Sequence, residues 1–183
     1  MNIVAISGGT RQESTDTVLL MAIKAASPNG IAIAVFDGIG SLTKFPPDLE
    51  CPSLPDRVQV FIHLIAHNDG LLISSPEYIR DIPGGLKNAI DWLVCRDQII
   101  GKPIALAHAS HRGDDMLVAL HKVLSNISSN FNEELFFRLP VMKETPEAIQ
   151  EILKVAENRQ RVEAFLRDFM SFWQNHLGSQ PPQ

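Results

Sequence analysis

The chain has 183 residues, 45% hydrophobic and 20% charged, with a formal net charge of −5. These values exclude disordered, collagenous and disulfide-scaffold chains, and at roughly 150 residues per domain they predict one domain, residues 1–177, with a disordered tail at 178–183. The acidic balance gives no overall pull toward phosphate backbones or anionic lipid, so neither nucleic acid nor a membrane is an expected partner.

Ile3 to Ile6 is a short apolar, β-branched run ending at Ser7-Gly8-Gly9, which predicts a strand buried on both faces feeding a tight loop. After Ser14, residues Val18, Leu19, Ala22, Ile23 and Ala26 recur at helical spacing and stop at Pro28-Asn29-Gly30. Ile31 to Phe36 predicts a second strand, and residues 38–56, rich in Gly, Pro and Ser, a long surface loop. Apolar positions between 58 and 66 predict a second helix, Gly70 to Ser74 a third strand, and Pro83-Gly84 opens a third helix carrying Leu86, Ala89, Ile90, Leu93 and Val94. Pro103 to Ala109 predicts a fourth strand, 114–128 a fourth helix, Glu133 to Phe137 a fifth strand, and 145–176 one long terminal helix.

Five strands alternating with helices predict a three-layer α/β fold, because each parallel pair needs a helical crossover and both sheet faces end up covered. Ligands of such sheets sit beyond the carboxyl ends of the strands, which directs attention to the loops after Ile6, Ile73 and Ala109. Cys51 and Cys95 have no framework spacing, and Met1-Asn2-Ile3-Val4 has no charged leader pattern, so a reduced, cytoplasmic protein is expected. The longest apolar run, Ile31 to Phe36, is about a third of the ~20 residues a membrane helix requires.

The first loop, Ser7-Gly8-Gly9-Thr10-Arg11-Gln12-Glu13-Ser14, runs from a buried strand into a helix start. Glycine-freed N–H groups, hydroxyls, a guanidinium and the positive helix end together suit a phosphate. A plain glycine turn with Ser14 as N-cap and Arg11 in solvent fits the same residues. The loop lacks the Lys of a nucleoside-triphosphate P-loop and the third Gly of a dinucleotide fingerprint.

The second loop continues as Pro76-Glu77-Tyr78-Ile79-Arg80-Asp81-Ile82-Pro83-Gly84-Gly85-Leu86-Lys87-Asn88-Ala89-Ile90-Asp91-Trp92-Leu93. This stretch resembles the P-E-Y-N-G-S-I-P-G-x-L-K-N-A-I-D-W-L motif of the NAD(P)H-dependent FMN reductase family, and Gly8 to Ser14 echoes that family's G-S-x-R-x-x-S loop. The family is flavodoxin-like and includes quinone, azo-dye and chromate reductases. The resemblance implies a five-stranded parallel sheet in the order 2-1-3-4-5, FMN and NAD(P)H as cofactors, and a homodimer or homotetramer. Hydride would pass from the nicotinamide through the flavin to a small-molecule electron acceptor such as a quinone, free flavin or azo compound.

The resemblance also assigns residues. Gly9, Thr10, Arg11, Ser14 and Asp16 fall at the FMN phosphate, Pro76, Glu77, Tyr78, Ile79 and Arg80 beside the isoalloxazine ring, and Ser110 and His111 at its pyrimidine end. No catalytic side chain is implied, since the cofactor carries the chemistry. Three departures fall at this site. Gly9 replaces a phosphate-binding Ser. Asp16 replaces an Asn, and a carboxylate ~4 Å from a phosphate charge costs ~1 kcal/mol in water. Ile79-Arg80-Asp81 replaces Asn-Gly-Ser, and Arg80 is expected to pair with Asp81 at the rim rather than with a nicotinamide nucleotide phosphate. The departures keep open an alternative, a non-catalytic flavin- or nucleotide-binding or scaffold protein on the same fold.

Other signals read as structure. Cys51 to Arg57 has the C-x5-R spacing of a thiolate phosphatase, but two prolines remove N–H donors and Asp56 repels phosphate. His63 and His67 share a helix edge without a third metal ligand. His108 reads as a hydrogen-bonded core residue, Trp92 as packing, and Phe165, Phe169, Phe172 and Trp173 as a stripe buried on the sheet or paired across an oligomer.

Overall fold

Strand β3 (Gly70–Ser74), buried at every residue, forms the middle of the sheet. It lies between β1 (Asn2–Ser7) and β4 (Ile104–His108), with β2 (Ala32–Phe36) and β5 (Phe131–Arg138) outside them. All pairs are parallel, in the order β2-β1-β3-β4-β5. The computed structural model describes residues 1–11, 14–46, 54–94, 96–141 and 143–176; Cys51, Cys95 and the 178–183 tail lie outside them.

Alternation along each strand divides the core in two. Ile3, Ala5, Leu72 and Phe137 face α1 (Thr15–Ala25), α5 (Pro146–Lys154) and α6 (Ala156–His176). Val4, Ile6, Leu71, Ile73 and Leu106 face α2 (Asp56–Ala66), α3 (Gly84–Val94) and α4 (Asp114–Ile127). The parallel register sets Ser7 beside Ser74 at the carboxyl edge. A Gly8 N–H to Ser74 carbonyl bond of 2.7 Å carries the ladder one residue further, into the first loop.

The expected single helix over 145–176 is two helices. Thr145 caps α5, its Oγ1 accepting from Ala148 N–H at 3.2 Å with Pro146 following, as a helix start requires. Val155 then leaves helical geometry at ψ 130°. The phase of the apolar positions explains the break: at about 100° per residue, Leu153 and Val162 would project from opposite sides of one continuous helix. The break lets Ile149 and Leu153 on one segment, and Val162, Phe165 and Phe169 on the next, reach the same core. Among the described residues no helix is long and apolar enough to cross a membrane.

Candidate functional site

The first loop sits on a closed ring of buried hydroxyls. Ser7 and Ser14 lie 3.2 Å apart, Ser14 and Thr17 2.9 Å, and Thr17 Oγ1 donates to Ser7 Oγ at 2.8 Å. Ser14 is also the N-cap of α1, accepting from Thr17 N–H at 3.1 Å, so its hydroxyl is directed into the protein. This packing accounts for Gly9: a Cβ there would stand 2.6 Å from both Cβ and Oγ of Ser14. A Cβ on Gly85 would likewise meet the Thr10 methyl at 3.0 Å, so the loop passes tightly over the start of α3. Among the described residues the N–H groups of Gly9, Thr10 and Arg11 donate no backbone hydrogen bond, and the Thr10 and Arg11 side chains are exposed. Main-chain donors at a helix N-terminus, an exposed guanidinium and a cradle closed to larger residues are the donor set of a phosphate.

Asp16, in the first turn of α1, is 4% exposed. Ser74 Oγ donates to its Oδ1 at 2.9 Å, and its Oδ2 would lie 3.9 Å from a Cβ on Gly9, just beneath the loop. Burial pushes this carboxyl above the usual carboxylate range, against the Ser74 bond, the His108 charge and its own N–H. An Asp that holds its proton donates as the Asn of the motif does, which softens the departure.

The second loop is fastened to α4. Glu77 Oε2 accepts from Met116 N–H at 3.1 Å, supplying the first-turn cap that Gly113, the residue before the helix, has no side chain to provide. Tyr78 and Asp81 exchange two backbone hydrogen bonds of 3.1 Å, making a two-residue hairpin. Ile79 (φ 52°) and Arg80 (φ 61°) form its turn, both in the left-handed region. The Arg80 Nε–H donates to Asp115 Oδ2 at 2.5 Å. The expected Arg80–Asp81 pair does not form: Asp81 Oδ1 takes the Ile82 N–H at 2.7 Å, and the Glu77 cap brings Asp115 within reach of Arg80 instead.

The third loop joins the second through His108. Buried at the end of β4, its Nδ1 lies 3.1 Å from the Ser75 carbonyl oxygen and its Nε2 2.5 Å from that of Arg112. A Cβ on Gly113 would come within 2.6 Å of Nε2, and Gly113 has φ 102°. Ser110 Oγ accepts from Arg112 N–H at 3.0 Å, and His111 is exposed. The sequence reading placed His108 in the core but missed its span between two loops. The Glu77 cap, reaching 39 residues along the chain, was missed as well; its one signal was a glycine preceding Asp114-Asp115 at a helix start.

All twelve candidate residues therefore gather at the carboxyl edge, in two groups. Gly9, Thr10, Arg11, Ser14 and Asp16 surround the start of α1, while Pro76 to Arg80 lean on the α4 start that follows Ser110 and His111. Elsewhere, the His63 and His67 rings stack at 3.8 Å, and no group of three His, Cys, Asp or Glu among the described residues could hold a metal. Trp92 is buried, its indole N–H donating to the Thr43 carbonyl at 2.8 Å.

A parallel sheet in this order, with its loops gathered at the carboxyl edge, defines a flavodoxin-like α/β protein. The fold matches that of the flavoenzyme NAD(P)H:(acceptor) oxidoreductase from Paracoccus denitrificans with a TM-score of 0.71 and 21% identity, covering 96% of this chain and 98% of that one. The NADPH-dependent FMN reductase family model matches residues 1–135, and the chain belongs to that family. It is 36% identical over 92 residues to a 2-hydroxy-1,4-benzoquinone reductase from a Burkholderia species, spanning 50% of this chain and 49% of the relative. With the quinone reductase of Escherichia coli K12 it shares 29% identity over 113 residues, 60% of each. The chain thus spans between about half and three fifths of the length of these curated relatives.

Proposed function

We propose that this chain is an FMN-dependent NAD(P)H oxidoreductase that reduces a small acceptor of the quinone type. The observation that carries the reading is the cradle over the α1 N-terminus, where Gly9, Thr10 and Arg11 present main-chain N–H groups beside an exposed guanidinium. Family membership supports it, as do the quinone reductases among the relatives. FMN, when bound, would supply the hydride relay between nicotinamide and acceptor. A quinone takes up two electrons and two protons in becoming a hydroquinone.

The protein's part is placement. Arg11 and the loop N–H groups hold the phosphate, Ser14 fixes the loop on α1, and Asp16 contributes as a donor while protonated. Pro76, Glu77, Tyr78, Ile79 and Arg80 offer the rigid hairpin along the ring, with Glu77 kept in place by α4. Ser110 and His111 close the pyrimidine end. The same reading takes the protein as a cytoplasmic homodimer or homotetramer, to which the half-buried Phe172 and Trp173 of α6 lend an apolar contact. Asp16 beneath the cradle, which repels a phosphate when ionised, favours one other reading, a non-catalytic flavin- or nucleotide-binding or scaffold protein on the same fold.

The test is an absorbance spectrum recorded after FMN addition and desalting, then repeated with anaerobic NADPH. Retained bands near ~450 nm that bleach with the nucleotide support the oxidoreductase. A yellow protein that NADPH does not bleach supports a flavin-binding protein without catalysis, and a colourless one refutes the oxidoreductase and leaves nucleotide or scaffold binding.

A further inference from the structure

The hairpin after β3 has a tip that stability does not explain. Ile79 and Arg80 are consecutive non-glycine residues at φ 52° and 61°, and for a β-branched side chain this conformation is a genuine outlier. The turn is of the kind that Asn-Gly adopts without strain. Ile79 recovers nothing by packing, since it is 99% exposed. Its conformation is nonetheless enforced from both sides: the Tyr78–Asp81 backbone pair closes the turn, the Asp81 side chain holds Ile82 N–H, and Arg80 is tied to Asp115. A strained segment that is over-determined by its surroundings and lies at a functional rim points to a role outside the fold.

We propose that Ile79 is the acceptor-contacting, specificity-determining residue of this site, held out at its rim so that a planar apolar acceptor packs against it. The inference rests on the oxidoreductase reading above and adds to it the residue that selects the acceptor. Three observations favour a small acceptor over a protein partner. The apolar surface at the tip is one isoleucine beside a Tyr78 that is 44% exposed, an area matching one or two rings and far below the ~800 Å² per partner of a stable interface. It is surrounded by Glu77, Asp81, Arg80 and Asp115, whereas charged residues are depleted at interface centres. It belongs to the loop after β3, at the same carboxyl edge of the sheet as the proposed cofactor cradle.

Two variants test this in the FMN-loaded protein, with 2-methyl-1,4-naphthoquinone as the apolar planar acceptor and ferricyanide as the hydrophilic one. Ile79→Asn relieves the strain and removes the apolar contact. Its melting temperature should rise by about 2–4 °C, while the ratio of KM for the naphthoquinone to KM for ferricyanide rises about tenfold. Ile79→Val keeps a branched apolar group and should hold that ratio near the parent value. An unchanged ratio in Ile79→Asn overturns the proposal. Equal rises in both KM values with weaker FMN binding assign the residue to the cofactor and also overturn it. A smaller mass by light scattering assigns Ile79 to a subunit contact, against the proposal. A parent protein that retains no FMN refutes the oxidoreductase reading itself, which the spectrum distinguishes from failure of the acceptor assignment alone.

Discussion

Replacing Asp16 by Asn tests the least expected feature of the cradle, a buried carboxyl beneath the proposed phosphate site. The carboxyl is raised by burial, so the folded protein holds its proton at pH values where an unfolded Asp, with a pKa of about 3.9, has lost it. The folded state then binds more protons, and stability contributed by Asp16 is complete below about pH 3.9 and is lost as pH rises through the folded-state pKa. Asp16→Asn should therefore melt higher than the parent at neutral pH, and the difference should shrink at acid pH. In the proposed site the same charge would act on the FMN phosphate. One carboxylate and one phosphate charge at roughly 5 Å, with an effective dielectric of about 20, repel by about 3 kcal/mol, or two orders of magnitude in affinity. Asn keeps an oxygen for the Ser74 hydroxyl and turns a donor toward the phosphate, so the packing of α1 survives the exchange. Flavin fluorescence titrations should show Asp16→Asn binding FMN up to about a hundredfold tighter at alkaline pH, where the parent weakens and the variant does not. Equal or weaker binding by the variant, or a parent affinity independent of pH, would show that the carboxylate does not face the phosphate and only favours the helix start.

Arg11→Ala removes the one exposed guanidinium of the cradle and should weaken FMN by about 1.5–3 kcal/mol in the same titration; unchanged affinity removes Arg11 from the phosphate site. Gly113→Ala forces a side chain into a φ of 102° and to within 2.6 Å of His108 Nε2, so its melting temperature should fall by several degrees. His108→Ala leaves the Ser75 and Arg112 carbonyls without their shared partner; a loss of about 1–3 kcal/mol in denaturant melts is expected, and no loss would mean that the two loops hold without it. Arg80→Ala breaks an exposed ion pair and should leave the melting temperature close to that of the parent, whereas Arg80→Gly, which also relieves the positive-φ strain, should melt slightly higher.

The inner strands β1, β3 and β4 were legible because burial on both faces writes them as nearly unbroken apolar runs, whereas the outer β2 and β5 are partly exposed and β5 carries Asn132, Glu133 and Glu134; the Pro76 to Leu93 motif marked the second loop. The terminal helix was misread for a reason the sequence contains. Ile149, Leu153, Val162, Phe165 and Phe169 each look helical locally, but the phase slips by about half a turn between Leu153 and Val162. Partnerships across the chain were less accessible. Ile-Arg carries no hairpin signal, so the turn at 79–80 was visible only through the Asn-Gly that the resemblance sets against it. Arg80 was assigned its sequence neighbour Asp81, whereas the fold delivers Asp115 from 35 residues away.

The departure at Arg80 is tied to α4. This helix opens with Asp114-Asp115 after a glycine, and carboxylates in a first turn favour the positive helix end. Each carboxylate also meets an arginine, Asp114 with Arg138 at 2.6 Å and Asp115 with Arg80 at 2.5 Å. Arg80 at the turn and Asp115 on the helix thus tie the second loop to α4, and Glu77 caps the same helix end. The proposed phosphate cradle is built differently, from main-chain N–H groups whose positions follow from the β1 ladder and the Ser7–Ser14–Thr17 ring. Main-chain donors persist whatever side chain the loop carries, so a glycine at position 9 removes a hydroxyl and leaves the cradle standing. The hairpin presents side chains outward, and there an exchange of residues changes what is met at the rim. On the proposed function, cofactor retention would rest on the first loop and acceptor choice on the second, and substitutions at Arg11 and Ile79 should separate FMN affinity from acceptor discrimination.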